Sequence, residues 1–382
     1  MTSTRERQRA AARARLEKEM AERAARARKR RQTQAVVGGG VGGLAVALGL
    51  LRAGWSVTVF ERATGLPETG TGLGIWPSAL RALDQLGVGR VARERGRVQP
   101  DGVMRRPDGS VIATVDVGRI RRRHGEGVLL LSRPVLLGLL AQALPPGTVR
   151  FAAPVEQVSA LLDGYDVVVG ADGIRSATRV CMFGDRFPLR YSGMTAWRGT
   201  VALDVPAGGE TWGRGRKFGV TPQGPGVTNW YAAVAVAPGF RPPEGDLLVL
   251  RRWFGDWHDP VPAVLERLDR AAVLRHEVHV LPALPSYVRG RLVLLGDAAH
   301  AMAPDLGQGA CQALIDAVVL AQALAAEPDV SSALARYDRL RRGPTQRMAA
   351  MATRAGRLAR VRRFTGVRDA ALRVALAFGP PG

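Results

Sequence analysis

Gln34 to Arg62 reads QAVVGGGVGGLAVALGLLRAGWSVTVFER, and no other stretch constrains the fold as tightly. A short apolar run, Ala35 to Val37, leads straight into Gly38-x-Gly40-x-x-Gly43. An apolar helical stretch follows, Leu44 to Arg52. Gly54 ends it, and a second apolar run, Ser56 to Phe60, closes on Glu61. The order is strand, glycine turn, helix, strand, acid. Gly38 permits the tight turn, Gly40 lets a pyrophosphate approach bare backbone, and Gly43 lets the helix pack on the strand. The helix N-terminus offers unpaired N–H groups and a partial positive charge to phosphates. Glu61 ends the second strand, where an acid can bind ribose hydroxyls. Gly42 and Arg62 complete the candidate set. The stretch predicts a dinucleotide site, and at this level the identity of the dinucleotide stays open.

At 382 residues the chain can bury a large core, in one large domain or two intimately joined ones. No apolar run is expected to reach the ~18 residues that span a bilayer. Two cysteines, Cys181 and Cys311, make neither a disulfide framework nor a metal-ligand spacing. That pattern, with no signal peptide, leads us to expect a reducing, cytoplasmic setting. Of the net charge of +22, residues 1–33 carry +8, from twelve Lys/Arg against four Glu. This arm has almost no large apolar residues and reads as solvated or disordered. Its charge allows weak contact with an anionic surface, and no obligatory nucleic-acid partner is expected.

Further along, a glycine-rich loop over Pro67 to Pro77 precedes a helix, Ser78 to Leu86. Residues 102–117 read as short strands around a turn at Pro107-Asp108-Gly109. Leu129 to Pro134 leads into a helix, Val135 to Ala143, and a strand follows, Val149 to Ala152. A buried strand, Tyr165 to Gly170, runs into Asp172-Gly173. Residues 190–253 alternate apolar and polar and hold four of the seven tryptophans. That alternation predicts an antiparallel sheet in a separate layer. Pro260 to Leu268 reads as a helix. Another buried strand, Arg291 to Leu295, ends in Gly296-Asp297, and a long helix, Gln308 to Ala325, follows. An arginine-rich helical region, Ala333 to Ala377, is expected last.

Three separated motifs now align: Gly38 to Glu61, Asp172-Gly173, and Gly296-Asp297. With VVVGADGIRSATR and LVLLGDAAHAMAPDLGQGACQALIDAVVLAQAL, the chain resembles the group A flavoprotein monooxygenases, the aromatic-ring hydroxylases that include para-hydroxybenzoate hydroxylase. It is most similar to the subgroup of urate hydroxylase, salicylate-type hydroxylases and zeaxanthin epoxidase. The resemblance covers roughly residues 34–345. It implies an α/β fold: a Rossmann-like FAD-binding domain of glutathione-reductase type, an inserted antiparallel-sheet substrate domain, and C-terminal helices. The expected division is 34–189 with 275–345 for FAD, 190–274 for substrate, and 346–382 as a C-terminal helical region.

By the same resemblance, Asp297 accepts hydrogen bonds from the ribityl chain of FAD. Pro304, Gly307, Gln308, Gly309 and Ala310 face the flavin ring, where backbone N–H groups before a helix suit its electron-rich end. Arg133 contacts the pyrophosphate and ribityl region. Asp172 serves FAD and NAD(P)H, and an N-capping role for it is compatible. A single dinucleotide fingerprint then goes to FAD, with NAD(P)H binding transiently. The implied reaction hydroxylates a small aromatic or heteroaromatic substrate with O2 through a flavin C4a-hydroperoxide. A reductase or dehydrogenase of the same fold, and a flavin-binding protein without catalysis, are the alternatives.

Catalytic residues proper stay unknown at this level. Substrate-orienting candidates are Arg198, Lys217, Trp230, Tyr231 and Trp76, with Ile75 beside it. The urate-specific branch is expected to carry arginine where Lys217 stands, and lysine lacks its bidentate fork, which counts against urate. His300 reads as structural. His276 and His279, three apart on a strand, face opposite ways and hold no metal. Ser176 lacks a nucleophile-elbow sequence. The interval between Val155 and the strand Val167-Val168-Val169 is too short for the β-hairpin that relatives carry, which leads us to expect weaker FAD retention.

Overall fold

The computed structural model describes residues 33–99, 101–270 and 273–377. The basic arm, apart from Thr33, lies outside the described residues.

The first layer is a six-stranded sheet. Its order is Val288–Arg289, Leu292–Leu294, Val167–Gly170, Thr33–Val37, Ser56–Phe60 and Val149–Arg150. All neighbours run parallel except the first pair. The strands Val167–Gly170 and Leu292–Leu294 are apolar along their whole length because both faces are covered. The helix Val41–Arg52 lies on one of them, starting three residues earlier than its apolar run suggested, inside the glycine turn. It packs against the helix Gly309–Ala326 through small residues: a Cβ on Gly49 would meet Ala321 at 2.9 Å.

Gly309–Ala326 is long and apolar enough, by length and mean hydropathy, to cross a membrane. This differs from the expectation that no segment would reach that length. Most of this helix is buried inside the protein, and Asp316 stands fully buried near its middle.

The second layer is a seven-stranded sheet in the order Leu274–Val280, Arg190–Ala202, Val227–Val234, Arg216–Gly224, Gly209–Trp212, Gly102–Arg105 and Val111–Val115. It draws strands from 102–115 and 274–280, outside the 190–274 interval assigned to substrate from sequence. The junction is the parallel pairing of Gly209–Trp212 with Gly102–Arg105, a long-range contact that local alternation does not encode. Within 190–253, the last stretch is a helix, Asp246–Phe254, rather than strand. It covers one face of the sheet together with Val261–Glu266, around Trp197, Phe218 and Trp230.

A third, small sheet joins Gly72–Ile75, Leu129–Ser132 and Arg97–Val98. The short 155–167 interval contains a single 3-10 turn, Val158–Asp163. The C-terminal region is two helices, Val330–Ala359 and Thr365–Ala377. Phe364, at φ 55°, makes the corner between them.

Candidate functional site

The glycine turn separates two roles that sequence spacing alone runs together. A Cβ on Gly43 would lie 1.8 Å from the Gly38 carbonyl oxygen, and one on Gly42 would lie 2.5 Å from Leu295 Cδ1. Those two glycines serve packing. A Cβ on Gly40 meets nothing within 4 Å, so its backbone borders open space. Gly40 is the N-cap of its helix, with no side-chain cap, which leaves the first N–H groups for a ligand. Glu61 accepts from Gly39 N at 2.6 Å and from Ala63 N at 2.8 Å, which fixes the carboxylate beside the turn. Arg62 next to it is exposed.

Asp172 is not the N-cap of the helix Ala177–Phe183, but its carboxylate reaches the first turn of that helix. Its Oδ2 accepts from Thr178 N at 2.9 Å and Thr178 Oγ1 at 3.0 Å, while its buried Oδ1 has no protein partner. Ser176, the N-cap of the following helix, accepts from Arg179 N at 2.8 Å.

The second binding element lies across a cavity of about 890 Å³. Asp297, Pro304, Gly307, Gly309 and Ala310 line one side with Gly74 and Trp76. Gly307 sits at φ 62°, in the left-handed region, and its side-chain direction points toward the Trp76 ring nitrogen, 3.9 Å away. Gln308 is the buried N-cap of Gly309–Ala326, which carries no side-chain cap either. Two uncapped helix N-termini, one open glycine and an exposed carboxylate at Asp297 fit a dinucleotide with a planar, electron-rich ring at its far end.

Asp316 anchors this element, and sequence reasoning missed it. Its Oδ2 accepts from Gly296 N at 2.9 Å and lies 2.6 Å from His300 Nε2, while its Oδ1 takes Arg341 Nε at 2.6 Å. Burial opposes the charge, but Arg341 and His300 hold the Asp316 carboxyl well below the usual carboxylate range. His300 therefore belongs to the scaffold that positions Gly296-Asp297. An aspartate inside an otherwise apolar helix, ALIDAVV, was the available signal.

The facing wall is the seven-stranded sheet, and strand parity decides which side chains meet the cavity. Met194, Ala196 and Arg198 alternate toward it on one strand. Asn229, Tyr231 and Ala233 do so on the next, and His276, Val278 and Val280 on the other neighbour. Trp230 falls on the opposite parity. It borders the cavity, but its indole is 1% exposed and stacks on Phe218 at 5.8 Å behind the sheet, so it does not orient a ligand. Ile75 is fully buried core.

Lys217 lines the cavity, yet its ammonium is already engaged. It lies 3.1 Å from Asp305 Oδ1 and 3.4 Å from Glu210 Oε2, over the rings of Trp212 and Tyr231 at 5.1 and 5.4 Å. Burial pulls its pKa down, but Glu210, Tyr231 and Asp305 together hold it well above the ordinary lysine value. The Tyr231 hydroxyl donates to Glu210 Oε1, and Trp212 Nε1 donates to Glu210 Oε2 at 2.7 Å. Gly219 makes this reach feasible: it pairs with both Glu210 and Tyr231, and a Cβ there would lie 2.2 Å from the Tyr231 ring.

Arg198 has the opposite environment. Its Nε is buried without a partner. Burial and the nearby Arg133 push its pKa down. His276 is pushed down to about 4 by burial and by Arg198, so it stays neutral at pH 7. The Arg198 guanidinium, with Arg133 near enough to disfavour its charge, and the neutral His276 imidazole make this end of the cavity a place for an oxygen acceptor or an anion. Among the described residues no cluster of His, Cys, Asp or Glu could hold a metal ion. His279 turns away from the cavity to Glu277 and Tyr191.

Residues 31–135 and 264–352 match the family model of the FAD binding domain. The aurachin C monooxygenase/isomerase of Stigmatella aurantiaca is 37% identical over 328 residues, covering 81% of this chain and 85% of that protein. The 3-amino-4-hydroxybenzoate 2-monooxygenase PtmB3 of Streptomyces platensis is 36% identical, covering 80% of this chain and 83% of that protein. Among solved structures, HpxO of Klebsiella pneumoniae, complexed with FAD and uric acid, superposes with a TM-score of 0.81 at 25% identity. The match covers 90% of this chain and 92% of that one.

Proposed function

The chain belongs to the FAD-dependent aromatic monooxygenases, and from that premise we propose that it uses NAD(P)H and O2 to hydroxylate a small aromatic or heteroaromatic ring. The observation that supports this reading is the cavity itself. One wall carries the cofactor-side loop Pro304–Leu306 with Asp297, and the opposite wall carries Arg198, Tyr231 and His276. FAD, when bound, supplies the redox and oxygen chemistry; the protein supplies binding, orientation and exclusion of water.

Each of those tasks falls to named groups. The open backbone at Gly40 and the helix behind it receive the pyrophosphate, and Glu61 the adenosine ribose. Asp297 takes the ribityl hydroxyls. The Gly307–Ala310 backbone faces the ring. Arg133 and Asp172 are assigned to the cofactor on the sequence resemblance. Met194, Val278, Met302 and Leu306 form an apolar surround, which keeps water from the reacting atoms.

The substrate ring sits between the sheet and the Pro304–Leu306 loop. Its carbonyl, phenolate or carboxylate oxygen meets Arg198, and a ring N–H or O–H meets Glu210 and Tyr231. A hydrogen bond donated from the ring to the Glu210 carboxylate or the Tyr231 oxygen raises electron density on the ring, which favours electrophilic hydroxylation. Because Lys217 is held by Asp305 and Glu210, it sets the electrostatics of this wall and shapes it, and Arg198 is the cation beside it with no carboxylate partner among the described residues. Lys217 does not offer the bidentate grip that suits a planar urate-like anion.

The test is a panel of phenols, salicylates, urate and 4-quinolones screened with FAD-loaded protein for stimulated NAD(P)H oxidation and O2 uptake. The reading expects at least one ring class to stimulate both together. NAD(P)H oxidation without O2 consumption would replace it with a reductase.

A further inference from the structure

The helix Thr365–Ala377 is inside out. Arg368 and Asp369 point inward, while Val367, Ala370, Ala371 and Val374 form an outward stripe at helical spacing. Phe364 continues it at the corner. Phe364 is 83% exposed, Val367 72% and Val374 61%.

The inward contacts prevent the helix from rolling to hide this stripe. Arg368 donates to the Gly213 carbonyl at 2.6 Å and pairs with Asp369, and Asp369 also takes Arg106 Nε at 2.7 Å. Leu372 and Leu376 pack in the same direction. An exposed apolar stripe fixed this way needs a partner.

The charge around it says which. Arg354, Arg357, Arg362, Arg363 and Arg373 are all exposed around the corner and the helix. Between Thr353 and Leu376 the one acid is Asp369, which is buried and neutralised. Among the described residues none of those five arginines pairs with a carboxylate. A second copy of the same face would bring arginines against arginines. The arm at 1–33, with its net +8, carries the same sign and almost no large apolar residues. Both are repelled. An apolar stripe flanked by exposed arginines, with no solvent-facing acid between Thr353 and Leu376, fits the interface of an anionic bilayer, with the stripe among the acyl chains and the guanidiniums at the phosphates.

We propose that the Phe364–Val374 face seats the protein on an anionic lipid surface. The end of the preceding helix lines the cavity through Thr353, Gly356, Arg357 and Arg360, so the seated face adjoins a wall of the active site.

Co-sedimentation of the full-length, FAD-loaded protein with vesicles tests this. Vesicles of phosphatidylcholine mixed with phosphatidylglycerol should retain it, vesicles of phosphatidylcholine alone should not, and raised salt should release it. Phe364→Glu with Val367→Glu, both solvent-facing, should leave bound FAD unchanged and lower vesicle affinity by about tenfold or more. Phe364→Ser with Val374→Ser should lower it in the same direction without adding charge. Three results would overturn the proposal: no binding to anionic vesicles; binding that survives these substitutions but disappears when residues 1–32 are removed; or a salt-sensitive dimer in solution that the same substitutions dissociate while vesicle binding stays absent.

Discussion

Lys217 and Asp305 meet at 3.1 Å, and through that contact the seven-stranded sheet is fastened to the Pro304–Leu306 loop. The two residues come from strands and loops almost ninety positions apart, and both are nearly removed from solvent. A Cβ on Gly356 would meet Asp305 Oδ2 at 2.8 Å, so the C-terminal helix closes over the same carboxylate. Removing one partner of a buried pair leaves the other uncompensated. Lys217→Met should therefore destabilise the protein by ~3–5 kcal/mol, read as a lowered urea midpoint. The lysine pKa is raised on folding, so the pair's contribution is fully present below the ordinary lysine value of 10.5 and fades only as pH rises beyond it. The midpoint difference between wild type and variant should be flat from pH 6 to 9.

Asp316 predicts the opposite pH behaviour. Its carboxyl is depressed on folding, so its stabilisation is present above the unfolded value near 3.8 and is lost as pH falls below that. Asp316→Asn should lose ~3–5 kcal/mol at neutral pH. It should also show a shallower decline in urea midpoint between pH 5 and 3 than wild type. Equal slopes for the two proteins would remove Asp316 from its anchoring role.

The glycine turn offers a pair of contrasting substitutions. Gly40→Val adds atoms to open space and should give folded, colourless protein without FAD. Gly43→Ala forces a Cβ to 1.8 Å from a carbonyl oxygen and should abolish soluble folded protein. Circular dichroism and flavin absorbance separate the outcomes. A yellow, active Gly40→Val variant would contradict the assignment of this turn to FAD.

Much of the cofactor site is legible in the chain because its parts are local. The glycine spacing, the strand ends at Glu61 and Asp297, and the helix start at Gly309 are all set by neighbouring backbone. Arg198, Lys217 and Tyr231 are legible as sheet residues. Adjacent Trp230 and Tyr231 cannot both face one side of a strand, and only the pairing with neighbouring strands tells which one does. Glu210, Asp305, His276 and the Asp316–Arg341 pair acquire meaning through contacts that join distant segments. Residues 102–115 enter the seven-stranded sheet through one parallel pairing, which local alternation does not specify.

Gly219→Ala tests the link between sheet geometry and turnover. The added Cβ collides with the Tyr231 ring at 2.2 Å and pulls its hydroxyl from Glu210. Bound FAD should be unchanged, while substrate-stimulated NAD(P)H oxidation should drop by about tenfold or more, the scale of one misplaced positioning group.

The interval 155–167, which the sequence shows to be too short for a hairpin, holds the 3-10 turn Val158–Asp163. We expect FAD to be lost on gel filtration at low concentration and restored by added FAD. Stoichiometric flavin after extensive dialysis would contradict this.

The most direct measurement is oxygen transfer itself. With FAD-loaded protein, NAD(P)H and a ring that stimulates its oxidation, the reaction is run under ¹⁸O2 and the product weighed by mass spectrometry. A monooxygenase places one ¹⁸O atom on the ring. A hydroxylated product carrying oxygen from water, or NAD(P)H oxidation that yields no oxygenated product from any ring in the panel, would contradict it.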